Sequence, residues 1–208
     1  MLAMDYLNDV SELRAIYRQP SAFIRAKQIG HLDPHCRNFI ARSPMVMLAS
    51  NHPQRGSDVS PRGDAPGFVQ VLDERHLALP DRPGNNRLDT LENLLANPDI
   101  GLLFLIPGVE EVLRVNGRAR LTCTSVLLET MAVDGKTPKL AVVVEVQEAY
   151  LHCAKALRRA RLWQPDHRID RRELPSLGRM IVDQARPAGV TADDADARIE
   201  ADYRTNPY

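Results

Sequence analysis

Cysteine is scarce in this chain: Cys36, Cys123 and Cys153 are scattered, with no CxxC spacing among them. That excludes a disulfide framework and a cysteine-based zinc site, and makes reduced thiols the expectation. Aromatic residues amount to only 5%, too few for the stacking platforms on which many RNA-binding sheets depend. Neither sign of charge is in excess, with 27 Lys and Arg against 27 Asp and Glu, so no global field draws the chain to nucleic acid or to an anionic membrane. Any anion must be caught locally. Long apolar runs are absent too. None approaches the roughly 18 residues of a membrane span, and Met1 to Val10 carries acids where a signal peptide has a basic start. A cytoplasmic chain is expected, without nucleic acid or membrane as partner. Walker, GxGxxG, HExxH and GxSxG patterns are all missing, which leaves hydrolase readings with little support.

What is present suits one globular domain with appendages: 208 residues, 44% hydrophobic and 26% charged. The single domain, 1–208, divides by pattern into N-terminal helices at 1–43, a barrel at 44–152 and a basic helical tail at 153–208. Leu7, Val10, Leu13, Ile16 and Tyr17 recur near helical spacing, and Pro20 starts a second piece. Asp33-Pro34 supplies an N-cap and an N1 proline for a short helix ending near Ser43-Pro44. Strands are expected at Met45 to Ala49, Phe68 to Leu72, His76 to Leu79, Ile100 to Ile106, Glu111 to Leu121 and Leu140 to Tyr150. A turn is expected over Asn51 to Gly56. Leu88, Leu91, Leu94 and Leu95 predict a helix over Asn86 to Ala96, and a second insert is read over Ser125 to Val133. Beyond the barrel, residues 154 to 186 hold nine Lys or Arg against four Asp or Glu. Six or so antiparallel strands with few helices predict an α+β, mainly β fold, a closed or split barrel.

Three polar patches interrupt the apolar runs: Ser60-Pro61-Arg62-Gly63-Asp64, Pro80-Asp81-Arg82-Pro83-Gly84-Asn85-Asn86-Arg87, and Arg114-Val115-Asn116-Gly117-Arg118. Arg62 ends a strand beside Gly63, where backbone can approach a ligand and a guanidinium can grip phosphate with two hydrogen bonds. A surface arginine in a turn is the plain alternative. Asn86-Arg87 opens a helix whose free N–H groups and dipole favour an anion, although Asn85 and Asn86 also suit an ordinary turn and cap. On the strand from Glu111, period two places Val112, Arg114 and Asn116 on one face, where Arg114 reaches a ligand or makes a cross-strand ion pair.

Together these patches resemble the pyridoxamine 5'-phosphate oxidase-like, FMN-binding split-barrel family, in particular a bacterial branch with SPRGD, DRPGNNR and RVNGRA motifs. The resemblance runs from about Asp33 to Trp163. It implies an antiparallel split barrel, a homodimer with FMN at the interface, and oxidoreductase chemistry on a small-molecule substrate. The cofactor-binding set it implies is Ser60, Pro61, Arg62, Gly63, Pro80, Asp81, Asn86, Arg87 and Arg114, with Arg62, Arg87 and Arg114 on the phosphate and Pro80-Asp81 by the ring. Three positions depart from the family pattern. Gln70 stands near the family's second phosphate cation, Val112 replaces a glutamine reaching from the partner subunit, and Arg161-Leu162-Trp163 does not reproduce the family's Trp and Arg-x-His unit. A non-catalytic flavin-binding or haem-handling barrel is the alternative, and a deazaflavin is the alternative cofactor. No side chain stands out as an obligatory acid or base. His35-Cys36 and His152-Cys153 are read as ordinary residues, not as metal or nucleophile sites.

Overall fold

In a computed structural model, which describes residues 4–206, seven strands form one antiparallel sheet in the order β2-β1-β5-β6-β7-β4-β3. They are β1 (Met45–His52), β2 (Gly56–Gly63), β3 (Gln70–Val71), β4 (His76–Pro80), β5 (Asp99–Leu105), β6 (Val112–Thr122) and β7 (Ala141–His152). The helices of the barrel region are α3 (Pro34–Arg42), α4 (Asp89–Ala96) and α5 (Ser125–Thr130). The architecture is the split β-barrel of α+β class that the sequence predicts. Strands β2 and β3 are its unpaired edges.

Alternation along the strands makes the core. Val46, Leu48, Ile100, Leu102, Phe104, Leu113, Val115, Val144 and Val146 are each no more than 4% exposed and form one cluster with Leu32, Cys36 and Ile40 from α3 and its approach. Asp33 caps α3 as expected, its carboxylate accepting from the Cys36 N–H at 2.8 Å, with Pro34 at the first helical position. Burial and the neighbouring Asp33 carboxylate push the Cys36 thiol up to about 12, so it packs as a small hydrophobe. Ser43 is buried, its hydroxyl within 2.7 Å of the Met45 and Leu105 carbonyls.

Two expectations need correction. Gly56–Gly63 is a full strand, paired along its length with β1, so there are seven strands and not six. Its composition hid it: Ser57, Asp58, Ser60 and Arg62 are polar because this edge strand turns no side chain into the main core. The helix expected from Asn86 begins only at Asp89, because Asn86 and Leu88 lie in the left-handed region with φ of 57° and 61°. The glycine of Arg114-Val115-Asn116-Gly117-Arg118 also has a purely structural cause. A β-bulge falls at Asn116/Gly117, where a Cβ on Gly117 would stand 2.1 Å from the Glu145 carbonyl oxygen.

The N-terminal helices α1 (Val10–Ile16) and α2 (Ala22–Ala26) bury no residue. This arm is tethered by a bridge between Ile29 and Ala149 and by the Lys27 ammonium on the Leu151 carbonyl, 2.9 Å away. After β7 come α6 (Lys155–Ala160), α7 (Leu177–Ala185) and α8 (Ala192–Thr205). Among the described residues, no helix is long and apolar enough to cross a membrane.

Candidate functional site

The register of β2 creates the site. Asp58, Ser60 and Arg62 pair with Ser50, Leu48 and Val46, whose side chains are buried. By strand parity their own side chains point inward, at the open seam of the barrel where β2 has no second neighbour. Polar groups at an inward edge leave room for a ligand in place of core. A cavity of about 700 Å³ lies there, within the range of small-molecule sites.

Its walls come from three further segments. Asp81 follows β4, and its N–H is held by the Leu140 carbonyl at 2.9 Å. The loop 82–88 and the first turn of α4 form one side, and residues 136–139 before β7 form another. The Thr90 hydroxyl joins α4 to β2, standing 3.1 Å from the Ser60 hydroxyl and donating to the Asp58 carboxylate at 3.2 Å. No side chain caps α4, whose preceding residue is the left-handed Leu88, so its first N–H groups and dipole remain available to an anion beside the cavity.

Five cations line the cavity: Arg62, Arg82, Arg87, Lys136 and Lys139. Two are committed. Arg82 pairs with the buried Asp64 carboxylate at 2.7 Å, and Arg87 pairs with Asp89 at 2.8 Å while remaining 74% exposed. Arg62, Lys136 and Lys139 have no ion pair among the described residues. Unpaired positive charge on two segments around one cavity is an arrangement for holding an anion.

Asp81 stands in the fields of Arg62 and Lys139. Burial pushes its carboxyl above the ordinary range, and the two cations partly offset that. Because the folded state favours the protonated acid, ionised Asp81 costs stability. The cost is absent below the ordinary carboxylate range and grows as pH rises through the raised value. Asp81→Asn is therefore expected to be more stable than wild type at about pH 7 and to lose that advantage near pH 3. Urea denaturation at the two pH values checks this, and a variant less stable at neutral pH would contradict it.

The structure brings Ser60, Arg62, Asp81, Asn86 and Arg87 of the predicted set to this cavity. Pro61, one step out of phase on β2, points to the outer face, Gly63 does not line the cavity, and Pro80 is buried at the end of β4 opposite Ala141. Arg114 pairs across the sheet with Leu103, which pairs with Met47 and then Pro61. It therefore stands on the outer face of its own protomer. There its guanidinium carbon lies 5.1 Å from the centre of the Tyr150 ring, which also carries the Lys27 ammonium at 5.3 Å. Arg82, Lys136 and Lys139 were missed by sequence reasoning. The signal was there in Gly135-Lys136-Thr137-Pro138-Lys139, two lysines in a Gly- and Pro-marked loop just before a strand, but nothing local to it points at β2.

A model of the family described as pyridoxamine 5'-phosphate oxidase matches residues 32–153, more than half of the chain. The chain belongs to the pyridoxamine 5'-phosphate oxidase family. The match starts at the approach to α3 and ends at the close of β7, so it spans every strand and the cavity's walls apart from α8. A search of curated protein sequences gives no match. Among solved structures the chain is similar to HupZ of Group A Streptococcus (13% identity, 57% of this chain and 92% of that one, TM-score 0.47). It is also similar to a putative pyridoxamine 5'-phosphate oxidase from Lactobacillus delbrueckii (18% identity, 59% and 95%, TM-score 0.47). An FMN-binding protein from Syntrophomonas wolfei is a third (12% identity, 56% and 83%, TM-score 0.45). The assignment rests on the matched family model and not on these similarities.

For a pyridoxamine 5'-phosphate oxidase family member, three side chains stand in unexpected company. Gln70 exchanges hydrogen bonds with Thr130, donating to its carbonyl and accepting from its hydroxyl, both at 2.9 Å. It ties β3 to α5 and lies outside the cavity. Val112 is 4% exposed. Trp163 donates its indole N–H to the Val109 carbonyl at 2.8 Å, anchoring the segment after β7. Among the described residues, no group of three or more His, Cys, Asp or Glu is placed to hold a metal.

Proposed function

We propose that this cavity binds FMN and that the protein is an FMN-dependent oxidoreductase acting on a small-molecule substrate. The observation that carries the reading is the unpaired Arg62, Lys136 and Lys139 around a cavity that α4 enters by an uncapped end. A phosphate monoester meets both kinds of partner there, guanidinium or ammonium and backbone N–H. Pro83, Leu88, Leu91 and Pro138 add apolar wall for a flat ring. Bound flavin supplies hydride exchange, so the side chains need only bind, orient and exclude water. Ser60, Thr90 and Asp81 are the polar groups available to fix the ring edge.

A homodimer fits the same reading. Val59, Met45, Met47, Leu103 and Leu105 share the outer face by strand parity, and Val59 is 65% exposed. A second copy seated on this face removes those side chains from water. It also offers Arg114, which stands on that face, to the partner's cavity. Two exposed free thiols, Cys123 and Cys153, suit the reducing cytoplasm.

Titration of the purified protein with FMN and with riboflavin, followed by flavin fluorescence, tests the proposal. FMN should bind at least tenfold more tightly, the scale of one charge-assisted phosphate contact. Equal affinity would remove the phosphate from the cavity. A Soret band in place of flavin absorption would favour haem, and bound FMN that no reductant or acceptor alters would favour a carrier.

A further inference from the structure

Every residue of the N-terminal arm from 4 to 26 is exposed, although the arm is rich in apolar side chains. Nine large ones between residues 4 and 24 are each 39% exposed or more, and α1 and α2 bury none of theirs. Val10, Leu13, Ile16 and Tyr17 follow one another at helical spacing through α1 and its C-cap. Tyr6, Tyr17 and Phe23 are three of only ten aromatic residues in the chain. Helices of seven and five residues are too short to hold in water without packing against something. At roughly 200 Å² for a large side chain, the arm leaves about 1,000 Å² of apolar surface open, more than a soluble monomer leaves in one patch.

The root of the arm fixes where that surface lies. Ile29 exchanges backbone hydrogen bonds with Ala149 at 3.1 and 2.7 Å, on the stretch of β7 beyond Glu145 where the pairing with β4 has ended. Just before it, the Lys27 ammonium stands over the Tyr150 ring that Arg114 shares on the outer face. The arm therefore leaves the barrel at the outer face, which carries the exposed Val59 and Met45. Its charges are near balance, with Asp5, Asp9 and Glu12 against Arg14, Arg18, Arg25 and Lys27. It lacks the strongly basic face by which an amphipathic helix holds an anionic membrane.

We propose that the arm packs against a second copy of this chain, each arm of a twofold dimer covering its mate's barrel beside the outer face. Arm and face are both apolar, exposed and adjoining, and one isologous contact removes both from water. Two arms bury about 2,000 Å² of their own apolar surface, where stable interfaces bury about 1,200 to 2,000 Å² in all. This arrangement rests on the homodimer reading and is independent of the flavin.

Sedimentation equilibrium of the full chain and of a Val10→Asp, Phe23→Asp double variant tests it. Wild type should be a dimer, and the double variant should dissociate at least about a hundredfold more readily, since four apolar side chains per dimer become carboxylates. Far-UV circular dichroism should show the barrel intact, because α1 and α2 bury no residue. The milder Val10→Ser, Phe23→Ser pair should shift the dissociation constant the same way by a smaller factor. Leu95→Asp should not shift it, for Leu95 is exposed on α4, whose Leu91 and Leu94 pack in the main core. A wild-type dimer whose dissociation constant is unmoved in both arm variants overturns the role of the arm and leaves the homodimer standing. A monomeric wild type overturns both, and one that cosediments with vesicles of phosphatidylcholine and phosphatidylserine would put a membrane in place of the second copy.

Discussion

Asp64→Ala should lower the stability of the protein by about 3 to 5 kcal/mol, the cost of breaking a buried ion pair by removing one side of it. The Asp64 side chain is 2% exposed and that of Arg82 16%, with 2.7 Å between carboxylate oxygen and guanidinium Nε. Arg82 also donates to the Met131 carbonyl at 3.0 Å. These bonds do what strand pairing does elsewhere. β2 is an edge strand, and the ion pair fastens the loop after β4 to the residue that follows it. Urea denaturation of Asp64→Ala, Arg82→Ala and the double variant gives the coupling. The double variant should cost clearly less than the two singles combined, because either single change already breaks the ion pair that the two share. Strict additivity would mean that the two side chains act independently.

Arg62→Ala should weaken FMN by about 1.5 to 3 kcal/mol, roughly ten- to 150-fold, while leaving riboflavin affinity nearly unchanged. Arg62 is the unpaired arginine of the cavity, aimed inward from β2 by strand parity and joined by no carboxylate at ion-pair distance among the described residues. No ion pair has to be broken before it meets a phosphate. Arg87 is different: it is bound to Asp89 and 74% exposed, so Arg87→Ala should cost less, below about 1 kcal/mol for an exposed and already paired cation. Fluorescence titration with both flavins orders the two variants. If Arg87→Ala proves the more damaging, the phosphate lies against the loop and not against β2.

Much of this was legible in the chain. Alternating runs such as Val46-Met47-Leu48 and Leu102-Leu103-Phe104 announce strands because a pleated strand exposes alternate residues to one core. Asp33-Pro34 announces α3 because capping is chemistry among neighbours in sequence. Of the polar patches at 60–64 and 80–87, Ser60, Arg62 and residues 81–87 line the cavity. Strand β2 was not legible as a full strand, because its inward residues face a cavity and carry no hydrophobic signal. The late start of α4 was equally hidden, since a left-handed Leu88 runs against local preference.

The sequence by itself determined the strands of the core, the capped α3 and the family to which residues 32–153 belong, for these depend on local periodicity and on motifs in order. Only the tertiary structure decided which charges share the site. It set Arg62 inward and Arg114 outward, brought Lys136 and Lys139 to β2 from far along the chain, and laid Asp202 of α8 against the same cavity. The physical reason is that a side chain's partners are chosen by sheet register and helix packing, which join residues distant in sequence and leave no periodic trace in it.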